Sequence, residues 1–494
     1  MSSQATANRP GLLDLVEDVI LLILTDYCDI KSVLQLGRTN KYLHHLALVH
    51  DVWLSLVAKL VERRIIDVRQ PGSERLEDLS TNQLIDKVKR IMLGPKTWSH
   101  QDSGSSPNVL DKGLHLNDEL VRPAFPPTST PPSESRRTVL RYIPRETPLG
   151  VWDDMTTLLP GGEYALFLNS GRLECWSISD KRIWMHTCAI DGASVMDFAA
   201  DFVEKDQVVI LTCQSTWNGS RKNFVEVTIL DLKNAKSRLV LVEPAPDVGY
   251  DGMYTSAVGG KIAVVTMHGA TITTLLINWS TLTYVGLKAS THGIALIPGY
   301  IVFTFDRGVD LFLAVCPLAS FDKYWVGINE PPNYILLEDL EDLPLVCADV
   351  PLTPEQRTGY LMIRRRKVDL WVCQSPIEPG VFRVWVYLGT TGGSRVQLGV
   401  YQLIVQNSGI SWESMVVQRV VAGFPFGMLY SGHRVVDAGR FKVIPQIVPP
   451  GPESDTARVM PFNLPGCRDC IHVSPYSGAI TYSTDEHIVI VHYD

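Results

Sequence analysis

Residues 164–178 read Tyr164-Ala-Leu-Phe-Leu-Asn-Ser-Gly-Arg-Leu-Glu-Cys-Trp-Ser-Ile178, two short apolar runs joined by Asn169-Ser170-Gly171. Runs of this kind around so tight a polar turn predict an antiparallel hairpin, because Asn and Gly tolerate the positive φ that a two-residue turn demands. The pattern recurs six times toward the C-terminus. Residues 208–212 match 224–230 through Asn218-Gly219, 262–266 match 271–277 through His268-Gly269, and 301–305 match 309–313 through Asp306-Arg307-Gly308. Two weaker units pair 360–363 with 382–387 and 427–430 with 435–436, and the last pairs 479–483 with 487–493.

Residues 138–494 therefore hold seven hairpin units of about 50 residues each, somewhat above the roughly 40–45 residues of a four-stranded blade. That spacing predicts a β-propeller with seven blades and long loops; eight tighter blades are the nearest alternative. One sandwich accommodates such a length awkwardly. The run Gly171-Arg172-Leu173-Glu174-Cys175-Trp176-Ser177 resembles the strand of WD-repeat-like propellers that ends in Trp-Asp or Trp-Ser.

The 494 residues are 45% hydrophobic and 20% charged, a globular rather than a disordered composition. With 53 acidic against 45 basic side chains and a net charge of -8, a nucleic-acid partner is not expected, since phosphate backbones need a basic surface. The apolar stretch Val19 to Leu24 is flanked by Asp14, Glu17, Asp18 and Asp26, unlike the basic start of a secretion signal. No run is long and uncharged enough for a bilayer span, so no membrane partner is expected. Nine scattered cysteines fit a reducing compartment, cytoplasm or nucleus. The sequons at Asn218 and Asn278 then read as chance matches.

Ahead of the β-rich region the period changes. Residues 1–11 read as a disordered N-terminus and 12–60 as short helices. Asp14 with Glu17 makes a candidate capping pair for a stripe of Val16, Ile20, Ile23, Leu24 and Tyr27. Asp29 caps a second helix carrying Val33, Leu34 and Leu36, and Thr39 a third carrying Tyr42, Leu43 and Leu46; Trp53, Leu54 and Leu56 follow. Residues 61–98 read as a helical extension, with a helix capped by Ser80 or Thr81 and stopped by Gly94-Pro95. Residues 99–137 are rich in Pro and Ser and read as a linker. A unit of about 50 residues, apolar on several faces, buries only some 60% of its unfolded surface. It needs a partner to cover it.

Leu12–Leu24, Val33–Leu43 and Asp51–Leu54 resemble the opening helix, the middle and the closing Trp of the F-box family. The resemblance spans about a tenth of the chain, and Val16 stands where the family's Leu-Pro pair has its proline. It implies an adaptor that docks on the Skp-type subunit of a cullin ubiquitin ligase core by laying apolar side chains into a helix-lined groove. The implied contact residues are Leu15, Val16, Ile20, Ile23, Leu24, Val33, Leu34, Leu36, Trp53 and Leu54. The propeller would then bind a protein substrate, and the fold expected is multidomain, an α head before an all-β body.

Catalytic patterns are sought and not found. Gly-x-Ser-x-Gly, the phosphate-cradling Gly-x-x-x-x-Gly-Lys and His-Glu-x-x-His are all absent, so no catalytic residue, metal or cofactor is expected. Cys467 and Cys470 with His472 fall short of the four ligands of a closed zinc site and read as a strand-end turn with buried thiols. The run Glu338 to Asp342 reads as solvated surface, Arg364 to Lys367 as a guarded strand edge, and His44, His45 and His50 as partly exposed helix residues. Two rivals stand beside the adaptor: a propeller hydrolase with paired carboxylates in a central pocket, and a scaffold whose head packs on its own propeller. The adaptor reading falls if the β-rich body itself covers the head's apolar residues.

Overall fold

The computed structural model describes residue 12, residues 15–67, 75–98, 132, 134–143 and 155–493, the last stretch apart from 180, 217–221, 246–252, 269–271, 289–290, 332, 337–338, 353–365, 391–394, 407–408, 422–423, 438–444, 451–459 and 468–469. Among the described residues seven sheets make the β-rich body, six antiparallel with four strands and one with six, antiparallel except for one parallel pair. Blade 1 consists of Thr156–Leu158, Tyr164–Asn169, Arg172–Ser177 and Lys181–Met185, hydrogen-bonded in that order. Blades 2 to 7 begin at Ala193–Phe202, Met253–Gly259, Thr291–Ile297, Arg366–Gln374, Phe424–Met428 and Ile471–Val473. First strands of blades 2, 3, 4 and 5 touch in series, and so do those of 6, 7 and 1.

The ring closes because the earliest strand, Glu134–Arg141, is the outermost strand of blade 7, paired antiparallel with His487–Tyr493. The body is thus a seven-bladed β-propeller, and eight blades are ruled out by the sheet count. The closing strand starts inside the segment read as a linker. Its alternating, largely exposed residues lack the apolar run that marks the other strands, so the signal for it is weak. Six of the seven expected hairpins fall each in a different blade, while the pairing of 360–363 with 382–387 is corrected, since 382–387 pairs with 369–374 on one side and 398–403 on the other. In blade 5, residues 360–363 lie outside the described residues, and Arg366–Gln374 pairs with Val381–Thr390.

Local chemistry explains the hairpins. Between Asn169 and Arg172 the two turn residues Ser170 and Gly171 have φ of 48° and 80°, the left-handed pair that matches the twist of flanking strands. Tyr164–Asn169 is buried at five successive positions, because in a ring of blades both faces of a strand are covered by neighbours. Trp176 sits on the third strand of blade 1, its indole N–H donating to Glu174 at 3.0 Å. Residues 318–345, between the third and fourth strands of blade 4, cross to blade 3, where Val326–Gly327 and Tyr334–Leu336 pair with Thr283–Lys288.

The head comprises α1 (Glu17–Leu22), a π-turn (Ile23–Tyr27), α2 (Ile30–Leu36), α3 (Lys41–Ala47), α4 (His50–Glu62) and α5 (Thr81–Leu93). Ile20, Leu24, Val33, Leu46, Trp53 and Leu84 share one core. Capping differs from the expectation in two places. Val16 precedes α1 without a side-chain cap, and Asp14 lies outside the described residues. Asn40, not Thr39, caps α3 by accepting from Leu43 N–H at 2.8 Å, while the Thr39 hydroxyl donates back to Leu36 O. Asp29 caps α2 and Ser80 forms a capping box with Gln83 on α5, as expected.

The head sits on one face of the propeller. Every contact described between them reaches the turn joining a blade's first and second strands or its immediate surroundings. Arg64 donates to Lys205 O at 2.7 Å and lies over the Phe202 ring in blade 2. Arg63 donates to Ser375 O at 2.6 Å, and Lys31 pairs with Glu378 at 2.7 Å in blade 5. Arg90 donates to Tyr493 O, and Asp67 meets Gly162 of blade 1 and Ser477 of blade 7. Trp98, just after α5, is fully buried among blades 6 and 7 beside Tyr493 and His433. The corresponding turns of blades 3 and 4 have open space at Gly260 and Gly299.

Candidate partner-binding site

The ten residues singled out from the sequence divide into two groups. Ile20, Leu24, Val33 and Trp53 are buried in the head's own core, where the Trp53 indole donates to Ala47 O at 2.8 Å. Ile23, Leu36 and Leu54 are half-buried. Leu15, Val16 and Leu34 are exposed, Val16 at 68%. The stripe read as continuous from Val16 to Tyr27 is interrupted by the π-turn. Cys28 N–H donates to Ile23 O, five residues back, at 3.1 Å. That inserted residue rotates the chain and leaves Tyr27 81% exposed instead of in the core.

The contact set read from the sequence leaves out five further exposed apolar residues of the head: Val19, Leu22, Tyr42, Leu48 and Leu93. Val19 and Leu22, three apart, share one side of α1 away from buried Ile20, and Leu15 stands exposed just before that helix. α2 adds Leu34, exposed one turn on from buried Ile30 and next to buried Val33. The Tyr42 hydroxyl reaches Glu17 Oε2 at 3.5 Å, which brings α3 beside α1. The signal was available: a helix whose apolar residues exceed one stripe leaves the excess uncovered. Contacts with the propeller come from Lys31, Arg63, Arg64, Arg90 and Trp98, and from apolar packing of Ile377 and Tyr476 on the head's core and of Met92 on a propeller cluster, so the β-rich body covers part of the head's apolar surface.

Within the propeller, buried polar groups serve the frame. Asp197 on the first strand of blade 2 accepts from the Ser256 hydroxyl of blade 3 at 2.8 Å, and Asp201 from Phe202 N–H at 2.8 Å. Burial pushes each carboxyl up to about 6. Both are occupied, and neither lines a cavity described for this chain. Glu226 accepts from His186 at 2.6 Å, Gln214 at 2.7 Å and Ala189 N–H at 3.2 Å. Burial pushes its carboxyl up, and these bonds overcome that effect and hold it below the ordinary range. Cys188 Sγ stands 3.8 Å from His186 Nδ1. Burial, with Glu226 nearby, pushes that thiol up to about 11, the reverse of what a nucleophile needs.

Cys467 and Cys470 are half-buried rather than buried, since they sit in the connection before blade 7 and not on a strand. His472 is on the strand itself, accepts from Leu158 N–H at 3.3 Å and is held down to about 4 by burial. Among the described residues no three His, Cys, Asp or Glu side chains gather as metal ligands. Arg364 and Arg365 lie outside the described residues. His44 and His45 are exposed, and half-buried His50 engages Leu79 O at 2.9 Å. Among the described residues no helix is long and apolar enough to cross a membrane.

No protein-family model matches the chain, and no curated protein matches it. Solved structures similar to it include a mitotic checkpoint complex, at 10% identity and TM-score 0.40 over 76% of this chain and 100% of that one. Another is the WD40 domain of SCAP from fission yeast, at 11% and 0.37 over 68% and 84%. A third is the Penicillium chrysogenum alpha-L-arabinanase, at 10% and 0.37 over 74% and 99%. Likeness at this level adds nothing to the fold, which rests on the seven sheets and their closure.

Proposed function

We propose that this chain is a substrate-receptor adaptor of a cullin-type ubiquitin ligase, its head docking on the Skp-type subunit and its propeller holding a protein substrate. The observation that carries the reading is the set of exposed apolar side chains Val19 and Leu22 on α1, Leu15 just before it and Leu34 on α2. Against its own propeller the head buries the charged ends of α2, α4 and α5 together with apolar contacts to Ile377 and Tyr476. Leu15, Val19, Leu22 and Leu34 are left over; of these Leu15 and Leu34 belong to the contact set that the F-box resemblance implies, whereas Ile20, Leu24, Val33 and Trp53 of that set are buried in the head's own core.

The seam also gives the propeller a direction. The head covers the turn face of blades 5, 6, 7, 1 and 2, so the substrate reads the opposite face or the rim. The chain itself makes and breaks no bond in this scheme. It raises the effective concentration of a substrate lysine beside a charged ubiquitin carrier. The scaffold rival draws on the same seam, since the head does pack on its own propeller.

The test is co-purification of the full chain with the Skp-type subunit, compared with Leu22→Asp/Leu34→Asp. Loss of the complex by at least a hundredfold, with an unchanged thermal midpoint, supports the adaptor. A wild-type chain that does not bind, or a double variant that binds equally well, overturns it in favour of the scaffold.

A further inference from the structure

Blades 2 and 3 meet at a lateral groove containing a cavity of 240 Å³, lined by Val225, Glu243, Pro244, Leu275, Ile277, Tyr284, Ile328 and Tyr334. Val225, Leu275 and Ile277 make a buried apolar floor. The walls are more unusual. Ile328 and Tyr334 come from residues 318–345, the excursion of blade 4 that crosses to blade 3, and the Tyr284 hydroxyl ties this segment down by donating to Glu330 O. The cavity therefore exists only because a third blade reaches over to complete it.

Glu243 is the one charged residue of the lining. It forms no ion pair or hydrogen bond through its carboxylate among the described residues, and burial alone raises its carboxyl above the ordinary value. The nearby cation Lys288 is engaged elsewhere, its Nζ 3.9 Å from the centre of the Tyr334 ring. A half-buried carboxylate without a counter-charge is a standing penalty in the free protein. Tyr284 beside it adds a ring that attracts cations, and Tyr334, already under Lys288, adds apolar wall. The volume decides the size of the guest: it is below the roughly 300–1,000 Å³ of small-molecule clefts and suits one long side chain.

We propose that this groove binds the side chain of a lysine or arginine carried on an extended segment of a protein partner, with Glu243 pairing the cation and Tyr284 and Tyr334 flanking its stem. The site is independent of the head and of any ligase role, so it stands or falls separately from the adaptor reading.

The experiment uses the full chain and a positional-scanning library of fluorescein-labelled peptides, read by polarization. The expected result is enrichment of peptides with Lys or Arg at one fixed position. Glu243→Gln, which keeps the shape of the side chain, weakens the selected peptide at least tenfold. Changing the peptide's basic residue to Gln weakens wild type equally, and the two changes together add nothing further. A thermal midpoint equal to wild type shows that the variant is folded, and Tyr334→Ala supplies a second variant expected to lose binding. The proposal is overturned if no peptide is selected, if the selected peptides lack a basic residue, or if Glu243→Gln binds within twofold of wild type.

Discussion

The two sides of the helical head bury themselves by different rules. Toward the propeller it presents cations, apolar contacts and one aromatic anchor: Arg63 and Arg64 donate to backbone carbonyls at strand turns and Arg90 to that of Tyr493 at a strand end, Ile377 and Tyr476 of the propeller pack against the head's core, Met92 of the head packs against a propeller cluster, and Trp98 fills a socket between blades 6 and 7. Away from it, Leu15, Val19, Leu22 and Leu34 face solvent. Turn carbonyls at the end of a blade have no strand partner, so donors on the head satisfy groups that otherwise need water. Exposed apolar side chains have no such use for turns. They gain only from a matching apolar groove.

Breaking the seam at its anchor has the largest expected effect. Trp98→Ala opens a cavity in a fully buried site and should destabilise the full chain by about 3–5 kcal/mol, read as a lower urea midpoint. Gly94→Ala comes next. Gly94 ends α5 at φ 82°, and an added Cβ would stand 2.6 Å from the His433 ring, so a loss of about 1–3 kcal/mol is expected in the same assay.

Asp67→Asn sharpens the comparison in the opposite direction. Burial pushes this carboxyl up to about 6, against the hydrogen bond from Ser477 and the charges of Arg90 and Lys87; its Oδ2 has no hydrogen-bond partner. The folded value lies above the unfolded 3.8, so the ionised carboxylate opposes folding above pH 6, and that opposition fades as pH falls toward 4. The asparagine variant should therefore melt higher than wild type at pH 7.5, by on the order of 1 kcal/mol. The gap should shrink to nothing by about pH 4, as followed by calorimetry across pH. Lys31→Ala removes a largely exposed ion pair with Glu378 and should change the midpoint by less than about 1 kcal/mol. Smallest of all, Leu22→Asp/Leu34→Asp on the open side should leave stability within about 0.5 kcal/mol while changing partner binding.

The hairpins were legible because each is a local event. Asn169-Ser170-Gly171 specifies its own turn, and six of the seven units read this way fall each in a blade; the blade 5 unit was read with the wrong first strand, 360–363 in place of Arg366–Gln374. The strand Glu134–Arg141 was not legible, since its partner His487–Tyr493 lies at the far end of the chain and its exposed face carries no apolar run. The helix caps at Asp29 and Ser80 could be read directly, whereas the π-turn at Ile23–Tyr27 could not: nothing local distinguishes a hydrogen bond reaching five residues back from one reaching four. For the candidate docking site, the residue types were readable but not their sides. The stripe from Val16 to Leu24 names both core and surface, and only packing separates Ile20 from Leu22. The groove at Glu243 left no sequence trace, because its walls come from three blades.

Turn chemistry, alternation and spacing, all short-range, determined by themselves a chain of β-hairpins long enough for seven blades behind a small helical head with too many apolar residues. Tertiary structure alone decided how the ring closes, which face of the propeller the head covers, and which apolar residues it leaves in water. Those outcomes depend on contacts between residues hundreds of positions apart, such as Arg90 with Tyr493 and Lys31 with Glu378. Loop-closure entropy and packing choose among such pairings, and no local pattern encodes them.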